Sequence, residues 1–68
     1  MTKTMIQEMM NSELLAHYVN SRDNLISITR RMNENRNTEG LLELFDIERE
    51  QYDLLQAEIY RRMERGRR

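Results

Sequence analysis

His17, followed by Tyr18, is the residue of this chain best suited by type to proton transfer. A histidine acts as an acid or base only where a pocket holds it within hydrogen-bond reach of a second group and of a substrate. The helical spacing around His17 offers no such pocket. Asp46, Glu48 and Glu50 could present carboxylates to a metal ion, but no histidine follows any of them at the Glu-x-x-His step that helical carboxylate sites use, and cysteine is absent. The expectation is a non-enzymatic chain with no catalytic residue, no metal ligand, no cofactor and no small-molecule substrate.

Arginine is the second chemical signal. Arg61, Arg62 and Arg65, with Arg67 and Arg68 beyond them, crowd the last stretch of the chain and could contact nucleic-acid phosphates. Three blocks of charge underlie the net charge of −1: residues 1–36 are nearly balanced, residues 39–58 carry seven acidic side chains against Arg49, and residues 59–68 carry five arginines against Glu64. The sequence pI near 5.8 and the lack of a recognition-helix pattern or interleaved aromatics weigh against base reading. Compensation of a helix dipole explains arginines at such a position equally well.

Arg22 and Glu48 form the third signal. Each falls on a stripe otherwise made of leucine, tyrosine and phenylalanine, and such a pair can fix helix register. The competing reading lets both side chains reach solvent from the stripe's edge.

These residues must be positioned by helices. Charged residues make up 34% of the chain and apolar ones 38%, with no proline and two glycines, a composition of long helices and not of strands and turns. Leu14, Leu15, Tyr18, Val19, Leu25, Ile26, Ile28 and Met32 recur at three- and four-residue steps, as do Leu41, Leu42, Phe45, Tyr52, Leu55, Ile59 and Met63. Phe45, Tyr52 and Ile59 are a heptad apart, as in a coiled coil. The polar, asparagine-rich run between Asn33 and Gly40 separates the two segments.

The pattern predicts an all-α antiparallel hairpin: helix one over about 5–34, a turn over about 35–39 and helix two over about 40–65, ended by Gly66. Asn37 or Thr38 is the expected cap of helix two. Thr4 with Gln7 reads as a capping box for helix one, and a second start at Asn11-Ser12 leaves the first residues as a short helix of their own. Residues equidistant from a turn near 36 or 37 should meet, bringing Tyr18 to Leu55, Leu15 to Ile59, and Arg22 beside Gln51 within reach of Glu48.

A chain of 68 residues buries little apolar area alone, and without cysteines the expected reinforcement is dimerisation or a partner that completes a four-helix bundle. Met1, Met5, Ile6, Met9, Met10 and Met63 gather at the open end as adaptable apolar surface. No apolar run approaches membrane-span length and no signal-peptide pattern is present, so the expectation is a soluble, cytoplasmic protein with no membrane partner.

Glu13-Leu14-Leu15 with Tyr18, and Glu58-Ile59 with Arg61-Arg62, resemble the ELL-x-x-Y and EI-x-RR strings of small Gram-positive helical-hairpin regulators of the sporulation-inhibitor Sda type. The resemblance implies an antiparallel hairpin that binds a histidine kinase at its dimerisation and phosphotransfer region. The two strings stand farther apart here than in that family, and no site residue is carried across. In size and shape the chain also resembles plasmid Rop proteins, which dimerise into four-helix bundles and bind RNA.

Three functions follow as expectations. The first is a small regulator or adaptor, an inhibitor of bacterial or phage origin, binding another protein through a helical face anchored by Leu14, Tyr18, Leu25, Phe45, Tyr52, Ile59 and Met63. The second is a Rop-like homodimer binding RNA or DNA through its arginine-rich ends. The third is a structural subunit of a larger assembly.

Overall fold

The computed structural model describes residues 1–34 and 39–65, and every regular element in them is helical. The expected turn at 35–38, the caps at Asn37 and Thr38, the Gly66 stop and Arg67 and Arg68 lie outside the described residues. Three helices follow in order: α1 at Lys3–Glu8, α2 at Asn11–Glu34 and α3 at Glu39–Arg65.

The expected single helix from residue 5 is instead two. Thr2, and not Thr4, caps α1: its side-chain oxygen accepts a hydrogen bond from the Met5 backbone N–H at 3.2 Å. Met9 is extended, with φ −67° and ψ 143°, and its N–H closes the short helix on the Ile6 carbonyl. The helical ladder restarts one residue later, where the Met10 carbonyl accepts from Leu14 N–H at 2.9 Å. The alternative start at Asn11 is therefore the one used. The physical reason lies across the hairpin, in Arg62, whose guanidinium occupies the corner between α1 and α2.

In α2 the seam follows alternating steps of four and three through Leu14, Tyr18, Ser21, Leu25, Ile28 and Met32, all buried or half-buried. In α3 the matching seam runs through Leu41, Phe45, Glu48, Tyr52, Leu55 and Ile59. This 3-4 alternation is the signature of helices that cross at a shallow angle. Hydrogen bonds between Asn11 and Arg62, Tyr18 and Gln56, and Asn24 and Glu48 set the register. Each pair is symmetric to within a residue about positions 36 and 37, so α2 and α3 are antiparallel.

The buried apolar core of the described residues is Ile6, Leu14 and Leu55, with Met9, Tyr18, Leu54 and Ile59 packed against it. It sits at the open end, where α1 lies on α3. The whole molecule measures 49 × 19 × 16 Å.

Candidate functional site

Glu58 is the most constrained ionisable group, although the apolar stripes pass it by. Its side chain is 5% exposed and takes three charged donors. Arg61 grips it with both ends of its fork, Nε to Oε1 at 2.9 Å and Nη2 to Oε2 at 2.6 Å, while Arg62 Nε reaches Oε2 at 2.7 Å. Hydrogen bonds from Arg61, working against the cost of burial and helped by Arg62, hold the Glu58 carboxyl down at about 2.

Arg62 continues the network into the N-terminal segment. Its Nη1 donates to Asn11 Oδ1 at 2.7 Å, and its Nη2 donates to the carbonyls of Met9 at 2.7 Å, Gln7 at 3.2 Å and Ile6 at 3.4 Å. Carbonyls at the end of a helix have no partner within it, and a cation there satisfies them and complements the dipole. Arg62 thus caps α1 from α3. The signal for this was the i+3 and i+4 spacing of two arginines after a glutamate; that the carboxylate would be buried was not visible, because α1's position depends on the same network.

Arg61 and Arg62, proposed above as phosphate contacts, therefore spend donors on Glu58, while Arg65 is exposed. The Arg22–Glu48 register pair does not form. Alternation in steps of three and four gives the seam position to Ser21, which is 5% exposed, and turns Arg22 outward, where it meets Asp23 at 3.9 Å. Glu48 stays on the seam and accepts from Asn24 Nδ2 at 2.6 Å. By the register, Ser21 stands level with Tyr52, a small side chain beside a large one.

Tyr18 and Tyr52 come together as the central polar feature of the seam. Their rings stack at 5.0 Å and their hydroxyls lie 2.9 Å apart. Gln56 also donates to the Tyr18 oxygen, at 3.5 Å. Either hydroxyl can donate in the bond between them, and the bond to Tyr18 pushes the Tyr52 phenol above the ordinary value of 10.0, helped by burial. One expected partner of Tyr18 was Leu55; the ring leans a helical turn farther, onto Tyr52, while still packing on the core that contains Leu55. Gln51, a half-buried neighbour in sequence, has its Oε1 buried with no hydrogen-bond partner.

Of the expected anchors, Leu14 is spent inside the hairpin, Tyr18, Leu25, Phe45, Tyr52 and Ile59 are half-buried, and Met63 is exposed. His17 is exposed on the outer side of α2, in a shallow surface depression with Glu13 and Asn20. No group of three or more His, Asp or Glu side chains among the described residues could hold a metal ion, and none of their helices is long and apolar enough to cross a membrane.

What distinguishes the surface is apolar. Leu15, Val19 and Ile26 stand exposed along α2, and Leu42, Tyr60 and Met63 along α3. Leu15, Ile59 and Met63 line one groove, which places the two rows on the same side of the hairpin. Its opposite side carries α1 against Leu54, Ala57 and Glu58, and a separate groove at Ile28, Leu44 and Ile47. Comparison with family models, with characterised proteins and with solved structures finds no match to the chain.

Proposed function

We propose that the chain is a small non-enzymatic regulatory or adaptor protein that works by laying one amphipathic face of its helical hairpin against another polypeptide. The observation that carries this reading is the row of exposed Leu15, Val19 and Ile26 beside exposed Leu42, Tyr60 and Met63. Apolar side chains gathered on one side of a small protein mark an interaction surface more often than scattered ones do. An inhibitory role rests on the likeness to Sda-type regulators alone.

Binding of RNA or DNA through the arginine-rich end has less support, since Arg61 and Arg62 are engaged with Glu58 and α1.

The test is affinity capture from source cells on the immobilised chain and on a double variant, Val19→Glu with Ile26→Glu. Both positions are exposed, so the variant hairpin keeps its own seam. A protein retained by the natural chain and lost from the variant is the expected result. Identical retention by both would sink this use of the face.

A further inference from the structure

The open face is self-complementary. Leu42, Arg49, Asp53 and Tyr60 follow one another at steps of 7, 4 and 7 residues, so at about 100° per residue they share one strip of α3 about 40° wide. Read from either end, this strip has the same midpoint, residue 51: Leu42 mirrors Tyr60, apolar on apolar, and Arg49 mirrors Asp53, cation on anion. On α2, Val19 mirrors Ile26 and Arg22 mirrors Asp23 about a point between 22 and 23. All eight side chains are between 42 and 64% exposed. The two midpoints lie at the same height in the hairpin, since the Asn24–Glu48 and Tyr18–Gln56 bonds bracket the level of Arg22 and Gln51. A single two-fold axis therefore serves both helices.

We propose that this face docks a second copy of the chain, antiparallel, about a two-fold axis at the level of Arg22 and Gln51, completing a four-helix bundle. The inference rests on the face identified above and names its occupant. In this arrangement Leu42 meets the partner's Tyr60, Arg49 meets the partner's Asp53, and Val19 meets the partner's Ile26. A two-fold axis parallel to the helices would instead lay α3 on the partner's α2, and neither mirror pair would meet. In the antiparallel arrangement residues 39–43, with Glu39 and Glu43, lie level with the partner's residues 59–63, which include Arg61 and Arg62. An isologous contact of this kind is the usual way a self-complementary patch is satisfied.

The chain has surface to cover: a compact monomer of 8.3 kDa exposes about 4,600 Å², whereas this elongated one exposes 5596 Å². Because α1 lies on the opposite side of α3, it leaves this face open.

Sedimentation equilibrium of the purified full chain tests the association, and the expected mass is twice 8.3 kDa. A mass of 8.3 kDa up to about 100 μM overturns the proposal while leaving the face available to a different protein, so the capture experiment above is judged separately. Participation of Arg49 and Asp53 in the contact is tested by charge reversal. Arg49→Asp and Asp53→Arg should each weaken self-association about tenfold or more, and an equimolar mixture of the two should restore it, because opposite charges then meet across the axis. Within the chain Arg49 already meets Asp53 at 3.5 Å; a role confined to that intrachain pair would not be repaired by mixing, so lack of restoration overturns the antiparallel pairing. A cysteine at 42 should cross-link to a cysteine at 60 in a mixed sample and not to itself, the two copies of position 42 being about 27 Å apart. Disulfide formation by Leu42→Cys alone would demand a parallel dimer and overturn the proposal.

Discussion

Glu58 carries a large share of the polar energetics for a single side chain. Its carboxyl is held at about 2 in the fold against an ordinary value of 4.5, so it favours the folded state while ionised. That contribution is complete above about pH 4.5 and is lost as the pH falls towards 2. Because Arg61 is half exposed, water screens part of the attraction, and about 2 kcal/mol is a reasonable size for the effect. Glu58→Gln should therefore lower stability near pH 7 by about 2 kcal/mol and flatten its decline between pH 4.5 and 2, read by denaturant unfolding followed by circular dichroism. An unchanged acid slope in the variant would show that another carboxylate carries it. Glu58 could be recognised in the sequence as an i, i+3, i+4 partner of two arginines. Its burial could not, because a carboxylate on a charged helix is by default a solvated one. Arg22 shows the reverse error: it belongs to a broad apolar stripe, yet the neighbouring Ser21 meets the seam, and only the exact 3-4 phase separates them.

At the level of elements, the long helices were legible because apolar periodicity runs for several turns in each, and α3 begins within a residue of its expected start. The break before Asn11 was legible only as one of two options. Met9 and Met10 are good helix formers, so nothing local forbids a continuous helix there. The chain turns because Asn11 and the Met9 carbonyl both find the Arg62 guanidinium, a partner more than 50 residues away. Gly40, in the first turn of α3, has no such tertiary reason: a Cβ built on it meets nothing within 4 Å, and its φ is not positive. Gly40→Ala should thus stabilise the hairpin by about 0.5 kcal/mol, mainly by restricting the unfolded chain, and should raise the melting temperature slightly. A loss of stability would mean that glycine is required at the start of α3.

At the scale of the molecule, the buried core of the described residues is confined to one end, and the rest of the seam is held by half-buried side chains along the 49 Å length. The all-helical architecture was readable from composition and period alone, whereas the location of the core was not, because Ile6 looked like one member of a methionine-rich patch. It is 1% exposed once α1 packs. Arg62→Ala should remove the cap from α1 and release it, so that the amides of residues 5–8 exchange much faster with solvent while α2 and α3 keep their helicity. Unchanged protection there would show that Ile6 alone holds the segment. The same guanidinium also imposes an order of events. The carbonyls it binds lie more than 50 residues before it and so leave the ribosome ahead of it. A growing chain can form α2 and most of α3 before α1 has anything to dock on, so the first-made of these three helices is the last to find its place.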